Sequence, residues 1–350
     1  MNKKLPNGST ELLATGKNFY KANLHTHSTV SDGTWTVEEI KDAYKAKGYS
    51  IVAYTDHEVC VDQSHLTDDN FLAITGYEIG VNEDSDPKYR WNAKAYHLNL
   101  LAKDPQNTKQ IYYNPCYLFG NTLSFEEKLK DEKYYIRDYS VDTVNDIIRT
   151  ANENGFLVCY NHPHWSLQTA EDYKDLEGLW ALEVVNGGSM YAGYEENQPH
   201  VYDEMLRAGK RILPVTGDDS HHIKHAFGTF TMISADNLKY PTIIEALEKG
   251  QFYCSEKPEM YSINLHEGKL HVKCSPVRQI RVITERRYMF FQNAEEGETI
   301  TEATFYMSDW FSRFRPDTRD NVYFRVSVTD REGYTAYSRA YYYDEIVDQF

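Results

Sequence analysis

Two histidines and a carboxylate fall within eight residues in His25-Thr26-His27-Ser28-Thr29-Val30-Ser31-Asp32, just after a short alternating run, Phe19 to Leu24. Side chains two apart on a strand share a face, so His25 and His27 would point together. Two imidazoles on one face at a strand end make half of a metal site. Ser31-Asp32-Gly33 is a turn signal that would fold Asp32 back over them, with Gly33 taking backbone angles other residues avoid. A surface His-x-His with a turn behind it has the same spacing. Recurrence weighs against that plain reading. His57 follows Thr55-Asp56, Glu78 follows Gly76-Tyr77, and His97, His162 and the run Asp218-Asp219-Ser220-His221-His222 come later.

Each of these groups stands in or beside an apolar run. Tyr49 to Thr55, Phe71 to Thr75, Ala95 to Leu101, Phe156 to Tyr160, Leu182 to Asn186 and Ile212 to Thr216 all read as strands, which with Phe19 to Leu24 makes seven. Between them, Thr36 to Lys47 has a capping threonine, Glu38 and Glu39 in its first turn, and Gly48 after it. Val141 to Asn154 places Val144, Ile147, Ile148 and Ala151 on one helical face before Gly155, and Pro241 to Lys249 reads as a last helix. Strands alternating with helices predict parallel βα units, and polar side chains gathered at strand C-terminal ends predict a barrel with its site on that face. The polar, tyrosine-rich segment at about 104–140 is too long for a plain connection, and reads as a substrate-covering insertion or a packed excursion. From residue 259 the helical periods stop and short alternating strands take over, which predicts a β-sandwich of about 90 residues. The expected division is therefore 1–258 for the barrel and 259–350 for the β-sandwich.

Composition narrows the function. With 37 basic against 53 acidic residues the formal charge is −16, which argues against a nucleic-acid polymer as partner. A small phosphorylated substrate stays compatible, because a metal cluster would supply local positive charge. Mean hydropathy is −0.65 and no apolar run approaches 18 residues, so no membrane association is expected. Met1 to Thr10 lacks the apolar core of a signal peptide, which predicts a cytoplasmic protein. Five scattered cysteines without a Cys-x-x-Cys pair read as reduced thiols. The 29 tyrosines fit either strand and interface packing or a stacking surface for a sugar or nucleoside.

Taken in order, His25-x-His27 with Ser31-Asp32-Gly33, Thr55-Asp56-His57, Gly76-Tyr77-Glu78, His97, His162-Pro163-His164 and Gly217-Asp218-Asp219-Ser220-His221 resemble the motifs of the PHP superfamily. That name joins polymerase-associated domains and histidinol phosphatases. The resemblance runs over roughly residues 20–255, and Ala246 to Tyr253 followed by a β domain resembles the stand-alone branch related to carbaryl-hydrolysing proteins. It implies an α/β fold, a distorted (β/α)7 barrel, with two or three divalent transition metals, manganese, zinc or iron. One metal would take His25, His27, Glu78 and Asp219. Glu78 would bridge to a second held by His97 and His162, and Asp32, His57 and His221 would hold the third. Imidazoles with few carboxylates suit such metals better than calcium. Asp218 departs from the family pattern by standing where a serine is usual; it could hold a proton, tune a ligand or face solvent. Asp56 and Glu183 read as partners that orient histidines, or as ordinary capping and rim residues.

The resemblance implies a metal-dependent hydrolase, a phosphoesterase acting on a small phosphorylated substrate. Water bound to such metals loses its proton near neutral pH, and the metals clamp phosphoryl oxygens. Asp219 or His221, where not committed to metal, would protonate the leaving group. His164, His222, Arg90 and Lys94 are candidate substrate contacts, although the two cations also read as a solvated charged loop. The same centre would serve a carboxyl ester, carbamate or amide. A metal- or sugar-binding module without activity would require lost ligands, whereas all nine ligand positions are filled. Self-association into a homo-oligomer stays open.

Overall fold

Strand ends organise this chain, so the strands come first. The structure is a computed structural model that describes residues 3–4, 10–13, 18–84, 86, 89, 92–311 and 321–346. After two short strands, β1 (Lys3–Lys4) and β2 (Thr10–Leu13), the seven apolar runs form β3 (Asn18–Asn23), β4 (Ile51–Tyr54), β5 (Leu72–Asn82), β6 (Ala95–Ala102), β7 (Phe156–Tyr160), β8 (Ala181–Asn186) and β9 (Leu213–Gly217). They are neighbours in one sheet in that order. The first helix, Val37–Ala46, begins with a capping box in which Thr36 Oγ1 accepts from Glu39 N and Glu39 Oε2 accepts from Thr36 N. It buries Ile40 and Tyr44, and Gly48 follows at φ 79°. Ser140 caps the helix Val141–Glu153, whose buried face is Val144, Ile147, Ile148 and Ala151.

The units are not all parallel. Strands β3, β4 and β5 run parallel, as do β7, β8 and β9, but β6 runs antiparallel to both neighbours. The cause is the connection. A parallel crossover needs a helix or its equivalent, whereas the charged, proline-containing sequence after Asn82 has no helical period, and β6 pairs antiparallel with β5 from Ala95 opposite Asn82. Reversal changes where His97 sits. It lies near the start of β6, opposite Gly80 of β5, and so reaches the same end as the residues that follow the parallel strands.

Besides the short β1 and β2, a strand of the main sheet escaped the sequence reading. β10 (Phe230–Ala235) pairs antiparallel with β3 and with β11 (Phe252–Ser255), with the helix Tyr240–Glu248 between. On its other side Thr231 Oγ1 accepts from Thr216 N of β9 at 3.2 Å. At the C-terminal ends of β3 and β9 the extensions meet directly: Asp219 N donates to His25 O at 2.9 Å and His27 N donates to Ser220 O at 3.1 Å. The first and last motifs are thereby stitched backbone to backbone. The fold is mixed α/β with this curled sheet at its centre.

Eight further strands follow: β12 (Met260–His266), β13 (Lys269–Val277), β14 (Gln279–Thr284), β15 (Met289–Asn293), β16 (Ile300–Tyr306), β17 (Tyr323–Thr329), β18 (Thr335–Ser338) and β19 (Tyr341–Tyr342). A separate antiparallel sheet has the order β1-β2-β12-β13-β16. The others, β15-β14-β17-β18, continue into the main sheet through β11, with β19 against β17. Ile263 and Val272 from one sheet share a core with Val282, Val326 and Phe324 from the other. The second sheet takes in residues 10–13 from the start of the chain, so the sheets cross the 258/259 division.

Candidate metal centre

Six histidines and three carboxylates converge where these strands end. Glu78, within β5, is the hub: its Oε1 lies 3.2 Å from His97 Nδ1, 3.3 Å from His162 Nε2 and 3.4 Å from His25 Nε2. Its Oε2 lies 3.1 Å from His57 Nδ1 and 3.5 Å from His27 Nε2. Asp219 Oδ1 lies 3.0 Å from His27 Nε2 and 3.4 Å from His25 Nε2. Asp32 Oδ2 is 3.5 Å from His221 Nε2 and 3.8 Å from His57 Nε2. Four overlapping groups result: His25, Glu78 and His162; His25, His27 and Asp219; His57, Glu78 and His97; and His27, Asp32, His57 and His221. Within each group one donor atom per residue lies within 4.8 Å of the others.

The donor set fits metal ions. His27 Nδ1 is buried without a hydrogen-bond partner, and the buried Asp219 Oδ1 faces the imidazoles of His25 and His27, an arrangement that costs free energy unless a cation completes it. Burial pushes the carboxyls of Glu78 and Asp219 up, but the surrounding imidazoles outweigh it and hold both well below the usual range. The same charges act in reverse on the rings. Burial opposes protonation of His162 and His221, yet Glu78 and Asp32 respectively bring each to about 9. His57 goes the other way, to about 3, through burial and the neighbouring His27. A compact anionic hub surrounded by proton-binding imidazoles is the electrostatic signature of a cation site.

Close packing brings these groups together. A Cβ on Gly217 would lie 2.4 Å from His25 Cβ and 2.5 Å from Glu183 Oε1. Only glycine lets β9 approach β3 there. Gly33 also earns its place by space: it lies outside the left-handed region, but a Cβ would lie 2.4 Å from His27 O. The expected conformational freedom of Gly33 is therefore not what the turn uses. Asp219 (φ 47°) and His162 (φ 24°) do sit in left-handed backbone, which an L-residue adopts at a cost and which aims these side chains inward.

The supporting residues sort differently from the sequence reading. Glu183 does orient a histidine, with Oε1 3.0 Å from His25 Nδ1. Asp56 does not; it accepts from the backbone N and hydroxyl of both Ser28 and Ser31 and fixes the turn before Asp32. Asp218 is fully buried, neither solvent-facing nor at the centre. It accepts from Tyr44 Oη at 2.8 Å and from the N–H groups of Phe227, Gly228 and Thr229 at 2.7, 3.1 and 2.9 Å. Asn161 and Asn186 escaped notice. Asn161 Nδ2 donates to Glu78 Oε1 at 2.8 Å, and Asn186 Nδ2 to Glu183 Oε2 at 2.9 Å and Asp219 Oδ2 at 3.2 Å. Asn161 directly follows β7 and Asn186 closes β8, strand-end positions close to those of His25, His57 and His162, and that position was the available signal.

A cleft of about 610 Å³ opens over the centre, floored by Asp32, His57, Glu78, His97, His162, Asp219 and His221. Its walls are Tyr117 and Phe119 from the 104–140 segment, Trp165 and Leu167 from the loop after β7, and Tyr194. Behind the first wall, Tyr113, Leu118 and Leu129 pack on Val59 as a small core, so the segment is both a packed excursion and a wall. Of the substrate candidates, Lys94, His164 and His222 are not among the residues that line the cleft. Lys94 Nζ pairs with Asp172 at 2.8 Å, and of that stretch Ala93 and Ala95 line the cleft instead. The His222 ring lies 3.7 Å from that of His225, tilted by 43°, and its Nδ1 accepts from Lys224 N. His164 is exposed, 6.5 Å from the Tyr194 ring. Arg90 lies outside the described residues. Among the described residues no helix is long and apolar enough to cross a membrane.

Fold and site together define a metal-dependent hydrolase. Residues 23–253 match the family model of the PHP domain, and the chain belongs to that family. Two solved structures are similar. One is a two-domain protein from Bacteroides vulgatus containing a predicted PHP-like metal-dependent phosphoesterase, at 14% identity and TM-score 0.44, the match covering 93% of this chain and 96% of that one. The other is an amidohydrolase from Chromobacterium violaceum with bound sulfate and no metal, at 16% identity and TM-score 0.43, over 66% of this chain and 96% of that one. No curated protein matches.

Proposed function

We propose that this protein is a metal-dependent phosphoesterase acting on a small phosphorylated substrate. The observation that carries the reading is the placement of four overlapping imidazole–carboxylate groups at the floor of one cleft. His25, His27, Glu78 and Asp219 would hold one ion, with Glu78 shared with a second on His97 and His162, and Asp32, His57 and His221 holding a third. Such ions supply an activated water and Lewis-acid clamping of phosphoryl oxygens. The chain's own residues do the rest. Glu78 and Asp219 stay ionised and hold the imidazoles in register, while Glu183, Asn161 and Asn186 fix the orientation of the donors. His221 is the most exposed of the six histidines at 27%; with two ions bound and the third site empty it would be free to deliver a proton to the leaving oxygen, and with the third ion bound it is a ligand. The aromatic walls exclude water and seat the organic part of the substrate.

A second reading has its own support. Among the described residues, no lysine or arginine lines the cleft, so nothing besides the metals favours a phosphate dianion over a carboxyl ester, carbamate or amide. The experiment is a screen of purified protein, loaded with manganese or zinc, against phosphate monoesters and carboxyl esters side by side, with Asp219→Ala as control. Phosphate release that is metal-dependent and absent from the variant is the expected result. Faster turnover of carboxyl esters would transfer the assignment to the second reading, and retained activity in Asp219→Ala would overturn the metal assignment.

A further inference from the structure

Far from the metal centre, the main sheet ends in an open edge. β15 (Met289–Asn293) closes the strand order, paired on one side with β14 and, among the described residues, with no strand on the other. Its sequence, Met-Phe-Phe-Gln-Asn, has neither a charge nor a proline, two of the devices that keep edge strands from pairing. The register shows which groups face outward. Asn293 lies opposite Gln279, and Ala294 N donates to Arg278 O at 2.8 Å, so Ala294 and, by alternation, Gln292 and Phe290 turn their backbone groups to β14. Met289, Phe291 and Asn293 turn theirs away from the sheet. The side chains divide at the same step: Phe290 packs on the core between the sheets, whereas Met289 and Phe291 are 47% and 61% exposed.

Such an edge accepts a strand, and the charges beside it fit one strand above others. Arg286 and Arg287 precede β15, Glu295 and Glu296 follow it, and all four are exposed. Phe291 is the midpoint of both sets, four residues from Arg287 and from Glu295. A second copy of the segment, turned antiparallel about a twofold axis at Phe291, sets Phe291 against itself and Met289 against Asn293. The same rotation carries Arg287 of each copy to Glu295 of the other, and Arg286 to Glu296, so every favourable contact occurs twice. Parallel pairing in register would set like charges together. The outward backbone groups of the two copies supply about six hydrogen bonds across the seam. Arg286 also pairs with Glu285 at 2.9 Å, which leaves Arg287 as the cleaner residue to vary.

We propose that β15 is the seam of a symmetric dimer, pairing antiparallel with the β15 of a second copy about Phe291, with Arg287 and Glu295 fixing the register. Five strands stand between β15 and β3, so the seam leaves the metal centre untouched. A seam of five residues per chain is narrow, and association should be weak, with a dissociation constant on the order of 10 µM. The test is sedimentation velocity of full-length protein across a wide range of concentration around that value. Salt at about 0.15 M, where the Debye length is about 8 Å, screens the repulsion between two chains of formal charge −16. Phe291→Pro removes an outward N–H and keeps the ladder to β14, so it should abolish the dimer with metal content unchanged. Arg287→Glu and Glu295→Arg should each raise the dissociation constant about tenfold, because each sets like charges together at both ends of the seam. Recovery is the readout that a damaged fold cannot mimic. The chain carrying both reversals should regain the wild-type constant, and an equimolar mixture of the two single variants should form heterodimers of similar affinity. A chain that stays monomeric throughout overturns the seam, and so does a dimer indifferent to the two reversals or to a folded Phe291→Pro. Where Phe291→Pro does not fold, the exposed charge variants decide. Weakening by both single reversals with no recovery in the double variant or the mixture overturns the register about Phe291.

Discussion

Glu183 Oε1 lies 3.0 Å from His25 Nδ1, and through Oε2 the same buried carboxylate accepts from Asn186 Nδ2 at 2.9 Å and from His162 N at 3.3 Å. One side chain thereby orients donors from the first, fifth and sixth motif-bearing strands without facing the cleft. Partners of this kind fix the tautomer and ring angle of a ligand histidine, and losing one weakens metal binding about 10- to 100-fold. Glu183→Ala should fall in that range, and Glu183→Gln should fall less, because its amide oxygen still accepts from His25 Nδ1–H. Metal retention against graded chelator is the measurement. Unchanged retention in Glu183→Ala would show that His25 is held by its backbone alone.

Metal loading should depend on pH in a definite direction. In the metal-free chain His162 and His221 keep their protons up to about pH 9, against the pull of burial, because Glu78 and Asp32 favour the charged rings. A metal ion needs the neutral ring. Below pH 9 each ion must therefore displace protons, and affinity should rise with pH and level off near 9. Calorimetric titration of chelator-stripped protein in buffers of different ionisation enthalpy counts the protons released. An apparent affinity flat between pH 6 and 9 would mean that these rings are not ligands.

Much of this candidate centre could be read from the chain because each candidate ligand stands in or beside an apolar run, and that placement survives without coordinates. His97 shows the limit. Its run was visible, but the direction of β6 depends on whether a connection can cross over, and only the missing helix after Asn82 signals a hairpin. Asn161 and Asn186 share the ligands' positions, yet an amide at a strand end is also an ordinary cap. β10 went unread because Phe230 to Ala235 carries no candidate ligand, although Gly228 before it and Asp236-Asn237 after it are turn residues that set it apart. Asp218 and Asp219 are adjacent and chemically alike; the left-handed backbone at Asp219 sends one inward to the histidines and leaves the other for the loop at Phe227.

That division between the two aspartates predicts opposite phenotypes. Asp218→Ala removes the acceptor for the backbone N–H groups of Phe227, Gly228 and Thr229, the last of them buried, and for the buried Tyr44 Oη. Unpartnered buried donors are expensive, and the cost should be about 3 kcal/mol of stability. Metal content should survive under conditions where the protein is folded. Asp219→Ala should lose metal with a smaller change in unfolding free energy of the metal-free protein. Denaturant titration of both variants after chelation, with elemental analysis before it, separates the cases. Metal loss in folded Asp218→Ala would make that carboxylate part of the centre.

The last prediction concerns the strands after Glu256. In the sequence they read as a separate β-sandwich of about 90 residues. In the fold, Tyr253 to Ser255 of β11 pair with Ala336 to Ser338 of β18, so the main sheet runs through the junction. Arg325 of β17 forms a two-pronged pair with Asp203 of the helix Pro199–Arg207, at 2.7 and 2.8 Å. Glu256 Oε2 accepts from Asn197 Nδ2 and Thr335 N, and Tyr44 of the first helix shares a core with Phe324 and Val326. A chain ending at Glu256 would expose the edge of β11, strip one face of that core and leave Asp203 without its cation. Removing one partner of a buried pair alone costs about 3–5 kcal/mol, comparable to the whole stability of many domains. Truncation at 256 should therefore yield protein that is insoluble or melts without cooperativity, and Arg325→Ala should lower Tm in the full chain without changing metal content. Soluble expression, a thermal melt followed by circular dichroism, and metal analysis decide the matter. A truncated chain that melts cooperatively and binds metal would show that the barrel strands carry their own stability and that the pairing across β11 and β18 is incidental to it.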